Sequence, residues 1–384
     1  MEPAALRLVL PGNVRHNSGG NAYNSALLRA VAALGVAAEA CEAGGDWPLG
    51  SPADRRRFGR LLTDADGGRV TLVDGLVACG APDELEAAAA AGMPAWILLH
   101  MPLGTHRELE RRALQAAAGV ICTSGSAAAD LRRRHGRHGV GGLRVALPGT
   151  APAPPAAGSE PPHLLAVAAL LPNKDQLLLL HALSGLTDLP WTASFAGSDT
   201  ADPAYAALLR RETVALGLAG RVRLPGELRG AALDAEWAAA NLSLLISRAE
   251  TYGLVVTESL ARGIPVIVRQ GTGAVEALAA GTPAAPAGSA VAESAAGTTA
   301  LPGTAVALAE DPAPLAAVLR RWLTEPALRA QWRDAALAAR EHLPGWDATA
   351  RAVLAILGIE PQPHPAGRQQ LSMPRPKTAT PGGE

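Results

Sequence analysis

The stretch that most limits what this chain can fold into runs from Leu242 to Val268. Leu242-Ser243-Leu244-Leu245-Ile246 is a short, largely apolar run, the pattern of a buried parallel strand. A polar bend follows, Ser247-Arg248-Ala249-Glu250-Thr251-Tyr252-Gly253, and then an amphipathic segment that ends near Gly263. Ile264 to Val268 begins the next strand. Strand, helix and strand joined by short loops make one βαβ unit. Open α/β sheets bind ligands at the carboxyl edge of their strands, where this bend lies.

A helix opening near Gly253 leaves the amides of Gly253, Leu254 and Val255 without intrahelical partners, aimed along a dipole that favours anions. Gly253 carries no β-carbon, so a ligand can come close to the backbone. Glu250 precedes these donors, and Glu258 falls one helical repeat beyond Leu254 on the same face. One carboxylate ahead of an anion site and a second deeper along the helix suit a ligand with a diphosphate between two hydroxyl-bearing groups. A sugar nucleotide has that shape.

The 384-residue chain is long enough for two domains. Aromatic residues are only 3% of it against 48% hydrophobic, so the cores must be mostly aliphatic. A formal net charge of -1 gives no support to a nucleic-acid partner. Cys41, Cys79 and Cys122 are scattered and lack metal-ligand spacing, which fits free thiols in a reduced, cytoplasmic setting and no metal site. Met1 to Leu10 lacks the basic start and long apolar core of a signal peptide, and no apolar run is long enough to cross a bilayer.

Two series of strand and helix patterns flank a Pro-, Ala- and Gly-rich segment, Ala151 to Pro162, which reads as a linker. In the first series, Leu6–Leu10 is a strand that leads through a loop containing Gly19 and Gly20 into a helix over Ala26–Leu34. Val70–Leu76 reads as strand and turn, and Ala95–Leu99 as a strand with His100 at its carboxyl end. Gly119–Ser124 is a further strand. The basic run Leu131–His138 reads as a solvated helix end, with weak peripheral contact to anionic lipid headgroups, or contact with a phosphorylated acceptor, as the alternative. In the second series, strand His163–Ala169 precedes a loop with Lys174 and a helix from Gln176 to Leu183. Lys174 at that junction is well placed to meet a diphosphate. Strands follow at Trp191–Ser198 and Arg221–Gly226. Ala280–Thr304 reads as a long low-complexity loop, and three helices are expected over Pro312–Thr324, Pro326–His342 and Trp346–Leu357. The G-x-G-x-x-G fingerprint is absent, which counts against a nicotinamide dehydrogenase.

The run with Glu250 and Glu258 resembles the Glu-x7-Glu stretch of the retaining, GT-B-fold glycosyltransferases, the large family that includes sucrose synthases and many bacterial mannosyl- and glucosyltransferases. The resemblance extends from about residue 6 to residue 357. It implies an α/β chain of GT-B architecture, two Rossmann-like domains facing across a cleft. Residues 1–150 are then the acceptor-side domain, 151–162 the linker and 163–345 the donor-nucleotide domain. Residues 346–358 form a helix crossing back to the first domain, and 359–384 a tail expected to be disordered.

The same resemblance assigns roles. Glu250 orients the transferred sugar and balances its oxocarbenium character, Glu258 binds the ribose hydroxyls, and His100 reaches the sugar from the opposite domain. Gly19 and Gly20 help hold the donor phosphates and the acceptor, with Asn21, Tyr23 and Asn24 adding polar contacts. Gly197 and Leu224 stand at strand ends that form the base slot. Gly271 to Glu276 resembles the glycine-rich loop and following glutamate near the donor. Lys174 matches the family's phosphate-gripping lysine, but the arginine expected five residues earlier is Ala169. That departure implies weaker donor binding, a substitute cation such as Arg248, or a degenerate enzyme. The expected reaction moves a sugar from a nucleoside-diphosphate sugar to an acceptor hydroxyl. It needs neither metal nor cofactor, because Lys174 and the amides at Gly253 stabilise the leaving phosphate, which itself takes the acceptor's proton. A non-catalytic sugar-nucleotide-binding subunit of the same fold is the alternative, and an epimerase of that fold stands further off.

Overall fold

The computed structural model of the chain describes residues 5–14, 18–64, 69–136, 140, 142–282 and 301–361. Short apolar runs, each followed by a helix, assemble into two separate sheets of six parallel strands. The first comprises β1 (Leu6–Pro11), β2 (Ala38–Ala43), β3 (Val70–Asp74), β4 (Trp96–Leu99), β5 (Gly119–Cys122) and β6 (Leu143–Val145), in spatial order β2-β1-β3-β4-β5-β6. Its helices are α1 (Gly19–Ala33), α2 (Pro52–Thr63), α3 (Gly75–Ala78), α4 (Pro82–Ala90), α5 (Arg107–Ala116) and α6 (Gly125–His135). The second sheet comprises β7 (His163–Val167), β8 (Thr192–Ala196), β9 (Val222–Gly226), β10 (Ala240–Leu245), β11 (Val266–Arg269) and β12 (Gly303–Val306), in order β12-β11-β10-β7-β8-β9. Its helices are α7 (Gln176–Ser184), α8 (Pro203–Ala215), α9 (Ala231–Ala239), α10 (Leu254–Leu260), α11 (Ala274–Leu278), α12 (Ala313–Thr324) and α13 (Pro326–Arg340), and α14 (Trp346–Leu357) closes the described chain.

Each sheet changes direction once, between β1 and β3 in the first and between β7 and β10 in the second. A ligand crevice is expected beyond the carboxyl ends of such strand pairs. At the carboxyl ends of those four strands lie Gly19–Gly20 at the start of α1, Asp74 as the last residue of β3, and Lys174 and Glu250 in the connections after β7 and β10.

The cores are aliphatic, as the composition requires. Leu6, Leu8, Leu72 and Ile97 are fully buried in the first half, and Leu164, Leu179 and Leu209 are nearly so in the second. Helix α14 packs on α1, placing Ala350, Val353 and Leu354 in one core cluster with Tyr23, Leu27 and Val31. The two passages between the halves touch there. Thr150 N donates to Pro344 O at 2.8 Å, and a β-carbon on Gly149 would lie 2.3 Å from Trp346 N.

Several elements depart from the sequence reading. Gly19 and Gly20 are the first two residues of α1, not residues ahead of it, and Ser18 caps the helix by accepting from Asn21 N at 3.1 Å. The edge strand β2, Ala38-Glu39-Ala40-Cys41-Glu42-Ala43, is mostly half-exposed and too alanine- and glutamate-rich to announce itself. Strand β12 falls at the end of the stretch read as a loop, with residues 283–300 of that stretch outside the described ones. His135 is not part of a solvated helix end: its Nε2 meets Glu110 Oε1 at 2.7 Å, and both side chains are buried. Residues 137–139 of the basic run and 362–384 of the expected tail lie outside the described residues.

Candidate active site in the cleft

One wall of the cleft is built by the bend between β10 and α10. Gly253 caps α10 with φ 90°, a left-handed conformation that glycine adopts without penalty, and a β-carbon there would stand 2.7 Å from Leu245 Cδ2. In front of this helix start, Lys174 Nζ and Glu250 Oε1 form a close ion pair, their side chains only 22% and 14% exposed. Lys174 ends a 3-10 turn, Pro172–Lys174, and Asp175 follows in the left-handed region at φ 57°. The buried Asp175 carboxylate is gripped by Arg248 at 3.1 Å and by Arg269, while Arg248 N donates to Asn173 O at 2.8 Å. These bonds fix the loop that presents Lys174. Gly273 N donates to Glu250 O at 2.7 Å and so ties the glycine-rich loop to the same bend.

Arg248, the cation that could stand in for the arginine missing at Ala169, is engaged by carboxylates here. Its guanidinium is shared between Asp175 and Glu310, the latter at 3.0 Å. Gly197 directly follows β8 and lies against the exit of β7, where a β-carbon would lie 1.9 Å from Ala168 O, and its N–H donates to Gly226 O at 2.9 Å. Leu224 sits half-buried on the neighbouring β9.

The opposite wall comes from the first sheet. A β-carbon on Gly20 would stand 3.2 Å from His100 Cδ2, and one on Gly19 would stand 3.8 Å from Leu254 Cδ1. The first turn of α1 therefore touches His100 in its own half and α10 in the other. His100 Nε2 lies 2.9 Å from Asn24 Oδ1 and 3.4 Å from Asp74 Oδ2. Tyr23 packs edge-on against both His100 and Trp346, at 5.2 and 5.3 Å between centroids, and its hydroxyl donates to Ala146 O.

A second cross-cleft contact was not legible beforehand. Glu276 accepts from Gly125 N and Ser126 N at 3.0 Å each, seating its carboxylate on the first turn of α6. The pattern signal for it is weak, a glutamate five residues after a glycine.

Glu258 stands apart from the ion pair. It lines a cavity of about 440 Å³ together with Leu254, Thr257, Asn21, Arg262 and the passage Gly149–Ala153. Burial pushes its carboxyl pKa up, opposed by the Arg262 charge, and its carboxylate has no hydrogen-bond partner among the described residues. Among the described residues no group of three or more His, Cys, Asp or Glu is placed to hold a metal, and no helix is long and apolar enough to cross a membrane.

Residues 150–338 match the family described as glycosyl transferases group 1. No curated protein sequence gives a significant match to the chain. Among solved structures, sucrose-phosphate synthase from Thermosynechococcus elongatus superposes with a TM-score of 0.70 at 19% identity, over 93% of this chain and 98% of that one. HepE of Anabaena, solved with UDP and glucose, gives 0.69 at 18% identity, over 92% and 99%. A glycosyltransferase from Rickettsia africae gives 0.67 at 14% identity, over 93% and 98%. These likenesses run the full length of both halves and establish the fold. Two parallel sheets meeting across a cleft are the GT-B architecture, and residues 150–338 of this chain, the linker and most of its second half, are a glycosyl transferases group 1 match.

Proposed function

We propose that the chain transfers a sugar from a nucleoside-diphosphate sugar to an acceptor hydroxyl, with retention of anomeric configuration and with protein groups rather than a metal carrying the phosphate charge. The observation that carries this reading is the Lys174–Glu250 pair set directly before the glycine-capped start of α10. Lys174 and the outward amides of Leu254 and Val255 supply positive potential where negative charge grows on the leaving phosphate. When the donor enters, the ammonium exchanges the carboxylate for phosphate oxygens, and Glu250 is released toward the sugar. The bond from the anomeric carbon to the phosphate oxygen breaks, the acceptor oxygen bonds to that carbon on the same face, and its proton passes to the departing phosphate. Glu258, half-buried and with no hydrogen-bond partner for its carboxylate among the described residues, is suited to accept hydrogen bonds from ribose hydroxyls. The UDP and glucose bound by HepE agree with a donor of this class.

Ala169 favours a second reading, a subunit that binds a sugar nucleotide without turning it over, because one phosphate-directed cation is missing. Incubating the protein with nucleotide sugars and candidate acceptors, and following the anomeric proton by NMR, separates the two. The reading expects a product of retained configuration, undiminished in EDTA and lowered about 10²–10³-fold in kcat by Lys174→Met. An inverted product rules out retention, and tight donor binding without product or hydrolysis selects the second reading.

A further inference from the structure

We infer that Asp74, acting through Asn24, is a positioning residue that fixes the tautomer of His100. The inference deepens the proposed reaction and rests on His100 being its sugar-facing residue. Asp74 ends β3 and His100 follows β4, its sheet neighbour, so the fold brings both to one edge. Asn24 reaches the same point from the second turn of α1 and is 1% exposed. Asp74 is 5% exposed, and each of its oxygens has a job: Oδ1 accepts from Leu76 N at 2.9 Å, and Oδ2 accepts from Asn24 Nδ2 at 2.8 Å.

That second bond decides how the Asn24 amide lies. With Nδ2 committed to the carboxylate, Oδ1 is the atom that faces His100 Nε2 at 2.9 Å. An amide oxygen and, at 3.4 Å, a carboxylate oxygen both accept, so Nε2 must carry the proton. In neutral His100 the proton is then absent from Nδ1, which has no hydrogen-bond partner among the described residues. His100 therefore offers a lone pair, an acceptor suited to a sugar hydroxyl. The ring is flanked by Gly20, where an added β-carbon would stand 3.2 Å from its Cδ2, and by Tyr23, packed T-shaped at 5.2 Å between centroids. The logic is that of a buried carboxylate setting an imidazole tautomer in hydrolytic triads, with an amide inserted between the two groups.

The test reads the tautomer directly, without substrate. Long-range ¹H–¹⁵N spectra of the full chain resolve ring nitrogens, and His100→Gln identifies the signals of His100 among the nine histidines. The expected wild-type pattern, read at a pH high enough that the ring is neutral, has protonated Nε2 and unprotonated Nδ1. In Asp74→Asn, the new amide keeps its oxygen on Leu76 N and turns its NH₂ toward Asn24. The Asn24 amide then flips, donates to His100 Nε2, and moves the proton to Nδ1. A wild-type Nδ1–H pattern overturns the inference even where Asp74→Asn fails to fold, and an unchanged pattern in a folded Asp74→Asn overturns it equally. Because no donor or acceptor enters the measurement, the outcome stands whether or not the chain proves to transfer sugar.

Discussion

Replacing Glu276 by alanine removes a carboxylate that belongs to one half of the molecule and is bound by the other. Its two oxygens accept from Gly125 N and Ser126 N, both at 3.0 Å. A hydrogen bond to a charged group contributes about 1.5–3 kcal/mol when shielded. Glu276 is partly exposed, so solvent screening reduces the pair to about 2 kcal/mol in total. At about 1.4 kcal/mol per tenfold, that lowers the ratio of closed to open arrangements roughly 30-fold. Glu276→Gln keeps one acceptor oxygen and should fall between the two. Small-angle X-ray scattering reads the consequence: Glu276→Ala should show a larger radius of gyration than the wild type at equal helicity, with Glu276→Gln intermediate. Identical scattering from all three proteins would refute the reasoning, since the contact would then carry none of the closure energy.

Three further outcomes follow from the geometry. Burial raises the Glu258 pKa above its ordinary value, so the folded state favours the protonated form; stability is highest below the unfolded-state pKa and falls as pH rises through that value to the shifted one. Glu258→Gln should therefore melt higher than wild type at neutral pH, with the gap closing toward pH 4, and a gap independent of pH contradicts the assignment. Gly253→Ala places a side chain at φ 90° and 2.7 Å from the Leu245 methyl, which should cost about 2 kcal/mol in urea denaturation; no loss would mean the bend relaxes freely. Gly149→Ala drives a β-carbon to 2.3 Å from Trp346 N, a backbone atom that cannot step aside, and should cost about 3 kcal/mol or more, against which an unchanged urea midpoint would count.

Much of this site was legible because its chemistry is local. A strand, a bend with a glycine and a helix place Glu250, Gly253 and Leu254 within one βαβ unit, and the apolar runs on either side give the strand ends. Lys174 was readable for the same reason, since it sits between a strand and the helix that follows. The cross-cleft contacts were not, because Glu276 and Gly125 are separated by 151 residues and no periodicity connects them. Asn24 and Asp74 were hidden differently: Asn24 reads as a polar contact to the donor or acceptor and Asp74 as the end of a strand, and only the adjacency of β3, β4 and α1 joins them to His100. Strand β2 was missed because half-exposed edge strands lack an apolar run. The partners of Arg248 were equally illegible, since Asp175 and Glu310 lie 73 and 62 residues away from it.

The central claim is that the corner formed by Lys174, Glu250 and the start of α10 holds a nucleoside-diphosphate sugar. Calorimetric titration of the full chain against a panel of nucleoside diphosphates and their sugars tests it most directly, with Lys174→Ala run alongside. The account predicts that one nucleoside diphosphate and its sugar bind, and that Lys174→Ala weakens both by roughly 10-fold or more, the loss of one charge-assisted contact. Binding by no member of the panel, or equal affinity in Lys174→Ala, would contradict it.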